Sequence, residues 1–187
     1  MSSERHSYMD IIKSSRHSKI AGDFGEALVL YWLSKHGFEC ARVDHTGIDL
    51  IARNPHTSDV MGISIKSRTR ISGAEGESIT IPRDDFTKIE AACSAFGCTP
   101  YFAIVVDADK AIRVFITSLA HLVQLHPLKS AGSYWKMSDA HLTQYSDDPE
   151  IMTFELRTDT KRWWSMKTTP NKSLQPTATA PSVLTEP

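Results

Sequence analysis

Cysteine is scarce and unpatterned. Cys40, Cys93 and Cys98 are an odd number with no CxxC pair, so the spacing offers neither a disulfide framework nor a cysteine-built zinc site. A reducing cytoplasm is the expected setting. Long apolar runs are missing as well. No stretch approaches the ~18 to 20 continuous apolar residues needed to cross a bilayer, and the first 20 residues contain no apolar core of a secretory signal. A soluble chain with no membrane partner is therefore expected. Nor is there an excess of positive charge. Lys and Arg number 21 against 22 Asp and Glu, a formal net charge of −1, so any contact with nucleic acid has to come from local basic clusters and not from the overall field. No internal repeat is visible. Metal-type histidine spacing is absent too: His121 and His126 are five apart and do not stack on one helical face. All eight histidines are expected to be structural or solvent-facing, with His45 the one considered as a helper ligand or water-orienting group.

What is present is enough apolar material for one substantial core. At 187 residues and 41% hydrophobic content, two full domains would both be undersized. The expected division is a polar, mildly basic arm over residues 1–18, a single domain over 19–166 with its core in 19–117, and a disordered Thr-, Pro-, Ala- and Ser-rich tail over 167–187. From Ser18, Ile20, Phe24, Leu28 and Tyr31 or Trp32 recur at helical spacing and Gly37 supplies a stop, which predicts a first helix carrying Glu26. Gly22 and Gly25 near that glutamate each cost helix stability and suggest a close approach by something. Three strands follow: Phe38 to Val43, Gly47 to Arg53 and Val60 to Lys66. A short SITI strand leads to Pro82, then a helix with Asp84 and Asp85 in its first turn, running to Gly97. Two further strands are predicted, Pro100 to Val106 with an unbroken apolar character and Ala111 to Thr117. Short helices over Ser118 to His126 and Ser138 to Tyr145 and a late edge strand, Ile151 to Arg157, complete the chain. Trp163 and Trp164 are expected to dock on the core. The fold class is α/β, an αβββαβ core with a mixed central sheet flanked by helices.

The chemistry concentrates between Asp44 and Arg70. In a strand, residues i and i+2 share a face, so Ser64 and Lys66 point one way while Ile63 and Ile65 fill the other. On the preceding strand Ile48, Leu50 and Ala52 are expected to line one face and leave Asp49 on the other, where an acid is expensive to bury without a partner. Two partners are open, a metal ion or Lys66. In the first case Asp49, Lys66 and Glu26 form the set that metal-dependent phosphodiester cleavage uses, carboxylates for a hard cation and an ammonium for developing charge. In the second, Asp49 and Lys66 are a structural ion pair and Glu26 an ordinary surface glutamate.

The order of elements, with Glu26 in the first helix, GIDL around Asp49 and SIK over Ser64 to Lys66, resembles the PD-(D/E)xK nuclease superfamily. It is most similar to the variants with a restriction-endonuclease-like fold found in archaeal-type Holliday-junction resolvases and related small endonuclease-like domains. The resemblance covers roughly Lys19 to Thr117. It implies that Glu26 and Asp49 hold Mg²⁺ or Mn²⁺, that Lys66 assists the attacking water, and that Ser67 and Arg68 meet the substrate. It also implies DNA as partner and a homodimer, because a junction is two-fold symmetric. One departure falls in the site. The family's Glu or Gln is Ser64 here, a weak ligand that would order a metal-bound water at best, and Asp44, Glu75 and Glu77 are the carboxylates considered as replacements. Three functions therefore stand side by side: a metal-dependent endonuclease hydrolysing DNA, a domain of the same fold that binds nucleic acid or protein without cutting, and a structural or interaction protein.

Overall fold

A computed structural model describes residues 13–70, 73–108 and 110–158. The expectations for most of the N-terminal arm, for Trp163 and Trp164 and for the C-terminal tail lie outside the described residues. In chain order the elements are α1 (His17–Lys35), β1 (Glu39–His45), β2 (Ile48–Arg53), β3 (Val60–Arg70), β4 (Ile79–Pro82) and α2 (Arg83–Phe96), followed by β5 (Thr99–Ala108), β6 (Ala111–Ser118), α3 (Leu119–Leu125), β7 (Gly132–Trp135), α4 (Asp139–Asp147) and β8 (Ile151–Arg157). Six strands form one mixed sheet in the order β1-β2-β3-β5-β6-β8, and β4 pairs with β7 in a separate two-stranded ribbon. The β3–β5 pair is parallel, running from Met61 opposite Thr99 to Arg70 opposite Ala108, and the other ladders are antiparallel. A parallel neighbour requires a crossover, which α2 provides. The αβββαβ order expected from the sequence holds, with β4 inserted ahead of α2.

Apolar side chains from the two faces of the sheet form two clusters. Leu28, Val29 and Leu33 of α1 pack with Leu50, Ile63, Ala103 and Val105 on one face. Phe86 and Ile89 of α2 pack with Phe102, Ile104, Leu122, Trp135 and Tyr145 on the other. This division explains the uninterrupted apolar run of β5, whose alternate residues feed both clusters. Ile63 and Ile65 lie on the α1 face, as the alternation predicts, and Ser64 and Lys66 sit opposite Phe102 and Ile104, whose side chains belong to the α2 cluster.

Two features depart from the sequence reading. In α1 the buried residues are Gly25, Leu28, Val29 and Leu33, whereas Ile20 and Phe24 are 54% and 45% exposed and Tyr31 is also exposed. Both stripes satisfy a helical period, so periodicity alone offers two faces, and the closest approach to the sheet selects between them. That approach is at Gly25, where an added Cβ would collide with Ser67 Oγ. Gly25→Ala is therefore expected to destabilise the fold by roughly 1–3 kcal/mol through overpacking. The double variant Gly25→Ala with Ser67→Gly should recover part of the loss in a denaturant titration, and an additive result would place the cost elsewhere. The second departure is β7, four residues between Pro127 and Ser138 that carry no strand signal of their own. Pairing with β4 makes it a strand, and Trp135 is fully buried there, stacked on Tyr145 at 4.1 Å between ring centres.

Candidate active site

The β2–β3 ladder ends at Leu50 opposite Ile63. One residue earlier, the Asp49 side chain takes over the role of a backbone acceptor: Ile65 N–H donates to Asp49 Oδ2 at 2.6 Å. The simple alternation expected for β2 breaks at this point, because Ile48 joins the α2 cluster while Leu50 and Ala52 join the α1 cluster. The break has a local cause. Gly47 has φ +105 in the β1–β2 turn, and its Cα lies so close to the Lys88 carbonyl of α2 that a Cβ would strike it. The turn is thus pressed onto α2, which draws Ile48 to that side and leaves Asp49 where β2 and β3 part.

Asp49 faces an open cleft of about 390 Å³ lined also by Glu26, Arg42, Val43, Asp44 and His45. Glu26, projecting from α1, and Asp49, at the mouth of β2, are thereby brought to one space. Burial holds the Asp49 carboxyl above its ordinary value, with the neighbouring Asp85 charge adding to the effect, while the Ile65 amide and the Lys66 ammonium oppose it. Glu26 is also held above its ordinary value, by burial first and by the Asp49 charge second, against relief from Arg42. Two carboxylates whose charged forms are disfavoured in a shared cleft are a pair that a cation would stabilise.

Lys66 has a partner the sequence did not reveal. Its Nζ pairs with Asp85 Oδ2 at 2.9 Å, both side chains being 20% exposed. Asp85 lies in the first turn of α2, where a carboxylate suits the helix dipole, and α2 packs so that this carboxylate reaches across to β3. The direct ion pair between Asp49 and Lys66, one of the two partnerships left open by the sequence, is not formed among the described residues; Asp49 senses the Lys66 charge without it. Ser64 is 3% exposed and does not line the cleft. Ser67 Oγ is buried against α1 and has no hydrogen-bond partner among the described residues. Arg68 is exposed at the open end of β3, its Nη1 donating to the Ser67 carbonyl at 2.8 Å.

Of the carboxylates considered as replacements for Ser64, Asp44 lines the cleft. Glu75 accepts from Gly73 N–H, and Glu77 pairs with Arg70. His45 also lines the cleft, with Nδ1 at 2.9 Å from the Thr46 carbonyl oxygen. His121 is held between Asp148 and Glu150 at 2.8 and 2.7 Å, and His126 meets the Tyr145 hydroxyl at 2.6 Å, so both are built into the fold as expected. Among the described residues, no group of three or more His, Cys, Asp or Glu side chains is arranged to hold a metal. No helix among them is long and apolar enough to cross a membrane.

Compared with known proteins, the chain matches no family model and no curated sequence. Among solved structures it is similar to Hjc, a Holliday junction resolvase from Archaeoglobus fulgidus, at 19% identity and a TM-score of 0.44, over 59% of this chain and 86% of that one. At that level the match carries no chemistry.

Proposed function

We propose that the chain is a divalent-metal-dependent endonuclease that hydrolyses phosphodiester bonds of DNA at the cleft between α1 and the parting ends of β2 and β3. The observation that carries this reading is the shared cleft of Glu26 and Asp49, beside a lysine whose charge Asp49 senses. Two hard oxygen donors suit Mg²⁺ or Mn²⁺, which commonly take only one or two protein carboxylates and keep several waters. When bound, the ion polarises the scissile phosphate and lowers the pKa of a water. The chain's own part is to hold two carboxylates in a partly buried cleft and to keep an ammonium near where negative charge develops. Asp85 fixes that ammonium. It also puts a carboxylate near Asp49 in a site whose motif position, Ser64, has none.

The second reading, a domain that binds nucleic acid without cutting, draws support from the same pair. Lys66 is held by Asp85 and not by Asp49, and Ser64 is buried. Cleavage of single-stranded, duplex and branched DNA in Mg²⁺ and in Mn²⁺ separates the two. Ser64→Glu sharpens the comparison. Continuing the β2–β3 register places Ser64 opposite Asp49, so the added carboxylate should tighten Mn²⁺ binding and raise cleavage at low metal. It should also lower the melting temperature, since a buried acid is costly. Equal activity and equal Mn²⁺ affinity at every concentration would place the metal elsewhere.

A further inference from the structure

Alongside α1, on the flank away from Glu26, runs a second groove that the catalytic reading leaves unused. Ile20 and Phe24 form one wall and Ser67, Arg68 and Thr69 of β3 another, with Asp107 of β5 at its side. These two apolar side chains, one turn apart on the helix, are left about half exposed. They sit in a setting of cations. Lys13 donates to the Thr69 carbonyl at 3.1 Å, His17 Nε2 shares a hydrogen bond with Thr69 Oγ1 at 3.1 Å, Arg16 stands just before the first turn of α1, and Arg68 lies exposed at the rim. Among the described residues, three fixed cations, Lys13, Arg16 and Arg68, thus stand around a groove with Asp107 at its side, on a molecule whose net charge is −1. The groove is also continuous with the proposed active site through the chain itself, since Arg68 follows Lys66 by two residues, about 7 Å along a strand.

We propose that this groove binds an unpaired nucleotide of the substrate strand, the base stacking on Phe24 against Ile20 and the adjoining phosphates meeting Arg68 and Arg16. An exposed aromatic ring bordered by arginine is the arrangement that holds unpaired bases without reading their sequence, and duplex DNA, whose bases are already stacked, has no use for it. The inference rests on the endonuclease reading for its ligand class and adds to it a preference for strands with unpaired nucleotides, such as single strands, flaps and branch points.

The test is fluorescence anisotropy with the full chain and a labelled DNA oligonucleotide, offered in EDTA as a single strand, as a blunt duplex and as a duplex with a single-stranded flap. Phe24→Ala should weaken binding of the single strand and the flap by about 10-fold and change the duplex by less than about twofold. Arg68→Ala should lower the slope of log K against log salt on the single strand by about 0.7. Phe24 is exposed, so the variant keeps the wild-type melting temperature. Equal losses on all three DNAs, no loss on any, or no binding of any DNA by the wild type would overturn the proposal. So would sedimentation showing a dimer that Phe24→Ala dissociates while DNA affinity stays unchanged, because the groove would then be covered by a second copy. The endonuclease reading fails separately. Selective, Phe24-dependent binding with neither Mn²⁺ affinity nor cleavage would leave the groove assigned and the chemistry withdrawn.

Discussion

Asp49→Asn is expected to remove Mn²⁺ binding at the cleft and to lower DNA cleavage by about 10³-fold, while the melting temperature stays the same or rises. The two effects have opposite signs because Asp49 serves two ends. Its structural duty is to accept the Ile65 amide, and an asparagine Oδ1 of the same shape can do that. Its charge serves no structural end. Burial holds the carboxyl above its ordinary value of 3.8, so the folded state binds the proton more tightly than the unfolded chain does. Stability from this group is therefore greatest at low pH and is lost as pH rises from the ordinary value through the raised one. The Asn variant should lack that part of the pH dependence, so its stability curve and that of the wild type should converge on the acid side and separate in favour of Asn on the neutral side. Calorimetric Mn²⁺ titration and thermal melts across this range measure both parts. A variant that loses stability and keeps metal binding would make Asp49 a plain backbone cap for Ile65.

The sequence carried the parts of this site that depend on local periodicity. Ser64 and Lys66 share a face because a strand repeats every two residues, and Ile63 and Ile65 go to the α1 core for the same reason. Asp49 stood out because an acid amid Ile, Leu and Ala calls for a partner. The parts that were not legible depend on contacts between distant elements. Asp85 has an adequate local explanation at the start of α2, and its ion pair with Lys66 arises only from how α2 lies on the sheet. The exposed stripe of α1 illustrates the same limit: Ile20 and Phe24 fit a helical repeat, but Gly25 against Ser67 decides which repeat meets the sheet. The break in β2 at Asp49 likewise follows from Gly47 meeting Lys88, a contact 41 positions distant in the chain. Strand ends were blurred as well. Val60 to Lys66 proved to extend to Arg70, because parallel pairing with β5 continues beyond the last apolar residue of the motif.

Lys66→Ala is expected to slow cleavage by about 100-fold or more while leaving the fold intact, since it removes a charge used mainly in the transition state. Its structural worth is the partly exposed pair with Asp85, and exposed or half-exposed pairs contribute little to stability. The two partners should then behave unequally. Asp85→Asn keeps the ammonium but frees it from its anchor, so it should reduce the rate less than Lys66→Ala does. Asp85→Glu should restore part of that loss, because a longer carboxylate still reaches Nζ. Removing Lys66 instead takes away the charge that favours ionised Asp49, and the Asp85 charge already works against that ionisation. Metal affinity is therefore expected to respond to the double variant Lys66→Ala with Asp85→Asn differently from the sum of the single changes. Pre-steady-state cleavage rates and Mn²⁺ affinities for the four members of this cycle measure the coupling. Additive effects would mean that Lys66 and Asp85 act independently, and a Lys66→Ala protein that cuts at the wild-type rate but melts earlier would make the pair a strut between β3 and α2.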